Sequence, residues 1–183
     1  NKLQKRNKKD YGKSDKLILD LIASKKEVWI TNQRDPGNYF EGFSKKNQHL
    51  YKDGKSYVML DYSGEYEKLK LPTLVDGKVS YINTPRFVTA GHELSHAHHR
   101  MYKPTTTPYS KLMPYGAIGL NGKLTTFYAP EEEIRTTGIP LMQDLKNLAK
   151  NYKSKKYMYH RDGDITENDI RLEHNLPPRA FYQ

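Results

Sequence analysis

The chain has 183 residues, a formal net charge of +10 and no cysteine. That length suits one domain and can bury a single core. The missing cysteine excludes disulfides and thiolate zinc sites, so any metal must take His and carboxylate ligands. No apolar run approaches membrane-spanning length, so no stable membrane insertion is expected.

Residues 1–13 are polar and basic and read as an arm or linker, with one catalytic domain expected over 14–183. The chain opens on Asn1 rather than Met and shows no signal-peptide pattern. It therefore reads as a processed form or a piece of something longer. Charge collects in Lys2, Lys5, Arg6, Lys8, Lys9 and Lys13, and again in Lys146, Lys150, Lys153, Lys155 and Lys156. Neither run is interleaved with base-stacking aromatics, so both read as solvated surface and nucleic acid is not an expected partner.

Ser14 is placed to cap a helix running to about residue 25, whose apolar stripe is Leu17, Ile18, Leu21 and Ile22. Val28-Trp29-Ile30 reads as a strand, and Arg34 to Asn38 as a turn. Asp53-Gly54 and Asp76-Gly77 each sit between apolar runs and suit the positive φ angles of tight hairpins. Residues 28–82 are thus expected to form one small, mostly antiparallel sheet. Thr84-Pro85 resembles a cap followed by proline at the first helical position, opening a helix to about Tyr102. Residues 103–127, rich in proline and glycine, read as a long irregular connection. Pro130 opens a second helix, and residues 141–152 carry a third. Thr166 and Asp169 match a capping box, with Pro177-Pro178 as the stop.

The chemistry concentrates in His92-Glu93-Leu94-Ser95-His96. On a helix, positions four apart lie on the same face, so His92 and His96 can offer two imidazole nitrogens to one ion. Glu93 is turned away from that pair and can reach a water instead of the metal. Gly91, Ala90 and Ala97 are small enough for close packing around the motif. A tetrahedral site needs a third protein ligand and an open fourth position. His99 and Tyr102 stand where one known arrangement requires glycine and histidine, so that arrangement fails. His98 and His99 read as exposed neighbours of the site. The remaining source is Glu131, Glu132 or Glu133 at the start of the next helix; periodicity alone does not choose among them.

Three ordered blocks carry a resemblance. His92-Glu-Leu-Ser-His-Ala-His-His-Arg-Met-Tyr102 and Glu132-Glu-Ile-Arg-Thr-Thr-Gly138 resemble the zinc-protease light chains of clostridial neurotoxins and, more closely, the NleD-type secreted effector proteases. Ile165 to Arg171 and Leu176 to Tyr182 resemble the C-terminal segment of the NleD-type proteins. The resemblance implies an α+β, zincin-like fold with the HExxH helix beside a small sheet and the third ligand on a following helix. It implies one zinc per chain, held by His92, His96 and Glu133, with Glu132 the alternative and Arg135 orienting a carboxylate. It assigns Glu93 as general base, and Arg179 and Tyr182 to stabilising the oxyanion. It also implies a bacterial effector or toxin acting in the host cytosol on a host protein. Substrates of the MAP-kinase type, as for NleD-type proteases, are favoured over SNARE proteins. The rival reading is a basic module that binds nucleic acid or another anion, with structural histidines.

Overall fold

The helix carrying the motif, α2, spans Arg86–Tyr102 and is buried along most of its length, from Val88 to Met101. The computed structural model describes residues 11–31, 48–52, 54–60, 70–139 and 163–182. Among these residues, three further helices pack against α2: α1 (Lys13–Ala23), α3 (Glu131–Thr137) and α4 (Glu167–Glu173). The architecture is α+β, as expected. The main apolar cluster joins Leu17 of α1, Val58 and Leu60, Leu94 and Ala97 of α2, and Ile165 and Ile170 at α4. Burial of these side chains contributes on the order of 1.5–3 kcal/mol each, and it fixes α2 between its neighbours.

The described residues of 28–82 form two sheets, not one. Strands β1 (Val28–Thr31) and β2 (Gln48–Lys52) flank β3 (Lys55–Met59) in the order β1-β3-β2. β2 and β3 are antiparallel, whereas β1 pairs with β3 in parallel. β4 (Lys70–Val75) and β5 (Lys78–Asn83) form a separate hairpin. Its turn has positive φ at both Asp76 (49°) and Gly77 (76°), as a two-residue hairpin loop demands.

The connection expected over 103–127 is also largely ordered. β6 (Leu112–Ile118) and β7 (Leu124–Pro130) pair antiparallel in full register. Pro114 and Gly116 hide the strand pattern in the sequence. A two-stranded sheet consists only of edges, where proline is tolerated. The inner side of this hairpin supplies Tyr115, Ala117 and Ala129 to a second apolar cluster with Ile134, Ile139, Ala180 and Phe181.

Two caps differ from expectation. Ser14 lies inside α1, and its backbone N–H donates to Glu173 at 2.8 Å. Pro85, not Thr84, is the cap residue of α2, and the Thr84 hydroxyl accepts from Arg171. The Thr166–Asp169 capping box of α4 is present. That helix ends before Pro177-Pro178, at a His174 cap followed by Asn175 with φ of 56°. Residues 178–180 then run beside β4, bonding Leu74 and Pro72 through backbone contacts of 2.8 Å. The turn at 34–38, the helix at 141–152 and the arm up to residue 10 lie outside the described residues.

Candidate metal centre

Helical spacing brings His92 and His96 together as the motif requires, with their Nε2 atoms 3.2 Å apart. α3 starts directly after Pro130 and carries three glutamates in its first turn. Successive helical positions are rotated by about 100°, so the three face different partners. Glu133 Oε2 lies 3.1 Å from His92 Nε2 and 3.4 Å from His96 Nε2. Glu132 instead meets His99 Nδ1 at 2.9 Å, and Glu131 accepts from Thr107. His92, His96 and Glu133 are all buried, and one ligand atom from each lies within 4.8 Å of the others.

The inward aim of both Nε2 atoms is set by what holds the opposite ring nitrogens. His92 Nδ1 is 2.9 Å from Glu167 Oε2. His96 Nδ1 is 3.0 Å from the Thr136 hydroxyl, with Glu132 Oε1 at 3.5 Å. Outer partners of this kind fix the tautomer and orientation of metal-ligating histidines. Glu167 is itself gripped by Arg171 Nε at 2.8 Å and Arg179 Nη1 at 3.0 Å. The whole group is buried. Gly91 allows α4 this close, since a Cβ there would stand 2.5 Å from Ile170 Cδ1.

Burial opposes charge on every member of the cluster, but the partners outweigh it for four of them. Glu133 is held well below the usual carboxylate range by His96 and His92. Glu167 is lowered by Arg179, His92 and Arg171. His92 and His96 are raised, through Glu133 with Glu167 and through Glu133 with Glu132 respectively. The pocket therefore calls for positive charge between two imidazoles and a carboxylate. A borderline divalent cation with N and O ligands, such as zinc, fits that donor set. Glu93 differs: burial raises its pKa against the nearby histidines. Burial of this kind favours the neutral form of a carboxyl group.

The C-terminal residues reach the same place. The Tyr182 ring stacks on His92 with centroids 6.3 Å apart and planes within 13°. Burial, with the negative charges of Glu133 and Glu93, raises the pKa of its phenol. The Arg179 guanidinium lies 4.8 Å over the Tyr182 ring while bonded to Glu167. Arg135 grips Asp164 through two contacts of 2.7 and 2.6 Å and comes within 3.5 Å of Glu132.

His98 and His99 are buried, contrary to expectation. His98 meets Asp20 at 3.1 Å and His99 meets Glu132, so neither joins the ligand group. Sequence reading also missed four neighbours of the centre. Glu167 and Thr136 were hidden because their partners are distant in sequence. His49, on β2, stacks on His96 at 5.7 Å, and burial holds its pKa down at about 3, leaving it neutral. Tyr109 donates its hydroxyl to Glu133. The advance signals were for Thr136 and Glu167, which lie inside the second and third resembling blocks.

A sequence model of the Peptidase_M91 family, described as an effector protein, matches residues 2–182. No curated protein and no solved structure matches the chain.

Proposed function

The chain belongs to the Peptidase_M91 family of effector proteins, and from that premise we propose that it is a zinc-dependent endopeptidase cutting a peptide bond in a host protein. The observation carrying this reading is the buried convergence of His92, His96 and Glu133. Zinc held there would supply Lewis acidity, enough to make water a nucleophile near neutral pH.

The chain's own residues supply the rest. Glu93 takes the proton of the attacking water and passes it to the leaving amine; its burial-raised pKa suits both steps. Glu167 and Thr136 keep the two imidazoles aimed inward. The Tyr182 phenol, beside Glu133 and Glu93, donates to the negative charge that develops on the carbonyl oxygen. Arg179 adds a fixed positive charge behind it, anchored by Glu167. Arg135 and Glu132 brace His96 and His99 from the outer side.

The resemblance of three sequence blocks to NleD-type proteases supports a substrate of the MAP-kinase type over a SNARE protein, and secretion by a bacterium with action in the host cytosol. Among the described residues, no helix is long and apolar enough to cross a membrane. The net charge of +10 supports attraction to an acidic stretch of the substrate. A rival binding module with structural histidines leaves the meeting of Glu93, Tyr182 and three ligand groups at one point without a purpose. Metal analysis of the purified chain, with a search for new protein termini in host cells given wild type or Glu93→Gln, tests the proposal. One zinc per chain and termini made only by wild type are expected; a metal-free protein that still cuts would overturn it.

A further inference from the structure

Three hydroxyls at alternate positions between α2 and β6 grip three successive carboxylates at the start of α3. Thr105 donates to Glu132, Thr107 to Glu131 and Tyr109 to Glu133. The first two bonds fall outside the ligand group and anchor the connection to the helix. The third divides the Glu133 carboxylate. Its Oε2 faces the two imidazoles at 3.1 and 3.4 Å, while its Oε1 is taken by the Tyr109 hydroxyl.

We propose that Tyr109 is a positioning residue for the metal centre, holding Oε1 of Glu133 so that the carboxylate offers an ion Oε2 alone. This rests on the zinc-peptidase reading. Its chemical meaning lies in the coordination number. Two imidazoles and one carboxylate oxygen would leave a fourth tetrahedral position for water or substrate, whereas a carboxylate binding through both oxygens would crowd that position and raise the coordination to five once water bound. The phenol is protonated at neutral pH and can only donate to a carboxylate. The Tyr109 side is the outer one, with the residue 59% exposed, while Glu133 is buried. Loss of the hydroxyl therefore removes little packing, and the effect is separable from folding.

Tyr109→Phe deletes only that hydroxyl. Thr107→Val deletes the neighbouring one, which serves Glu131. Each variant, with wild type and Glu133→Ala, is titrated with zinc against a chelator, and its cobalt-substituted form is recorded by visible absorption. Thermal unfolding of the metal-free proteins checks the fold. Tyr109→Phe is expected to bind zinc about tenfold more weakly. Its cobalt bands should weaken as coordination rises above four, while Thr107→Val matches wild type in both. A Tyr109→Phe spectrum and affinity equal to wild type, with Glu133→Ala losing the metal, would overturn the role of Tyr109 and leave the zinc centre standing. Equal losses in Tyr109→Phe and Thr107→Val would reduce the bond to general anchoring and also overturn it. Wild type that takes up neither metal would remove both the centre and the inference.

Discussion

His92 Nδ1 and Glu167 Oε2 are bonded at 2.9 Å in the interior, across 75 positions of sequence. Through this bond, one carboxylate on α4 sets the aim of an imidazole on α2. The same carboxylate neutralises Arg171 and Arg179. Glu167→Gln should therefore fail in two ways. Zinc affinity should drop by about 10–100-fold as the His92 ring loses its anchor. Stability should fall by about 3–5 kcal/mol, because two buried guanidinium groups lose their counter-charge. Chelator competition and urea unfolding measure the two effects; an unchanged zinc affinity would deny Glu167 its orienting role.

The two adjacent glutamates of α3 should separate cleanly. Glu133→Ala removes the carboxylate facing both Nε2 atoms and should abolish tight zinc binding. Glu132→Ala removes a brace on His96 and His99 and should weaken binding less. The opposite order in a zinc titration would move the ligand by one residue.

Glu93→Gln should keep one zinc per chain and lose about 10²–10⁴-fold in kcat, the contribution of a positioned general base. His96→Ala should lose both metal and activity. Kinetics on a cleavable substrate, paired with metal analysis, distinguish these outcomes.

The metal-free protein should lose stability on the alkaline side. His92 and His96 have pKa values raised above the ordinary 6.5, chiefly by carboxylate partners that overcome burial. A raised imidazole contributes stability fully below its unfolded value, and that contribution drains away as pH climbs through the folded one. Zinc reverses the trend, since it binds deprotonated imidazole and its affinity grows with pH. Melting temperatures from about pH 6 to 9, with zinc and with chelator, should diverge as pH rises. Parallel curves would contradict the assignment.

Gly91→Ala should cost about 1–3 kcal/mol through the clash with Ile170 Cδ1. Adding Ile170→Val removes the clashing methyl, so the double variant should be more stable than the sum of the two single losses. Simple additivity in urea unfolding would show that α2 and α4 do not meet there.

What could be read beforehand was what is encoded locally. The i, i+4 spacing of His92 and His96, the Asp76-Gly77 turn and the Thr166–Asp169 cap each depend on a few consecutive residues and on backbone preference. Where a local signal had two uses, the sequence misled. Thr84 resembled a cap but serves Arg171, and Ser14 bonds Glu173. The β6–β7 strands were masked by Pro114 and Gly116; a hairpin made only of edges tolerates the proline.

The sequence by itself determined that a pair of imidazoles shares a helix face with a general-base candidate beside it, because helical periodicity leaves no other arrangement. Periodicity left Glu131, Glu132 and Glu133 open and the resemblance named Glu133; the tertiary structure decided that it faces them and that Glu167, Thr136, His49 and Tyr109 surround them. It also decided that His98 and His99 are buried elsewhere. Those choices depend on how α2, α3 and α4 are rotated and packed against one another. That packing is set by the burial of Leu94, Ala97, Ile134 and Ile170, which act across long stretches of chain where no local pattern reaches.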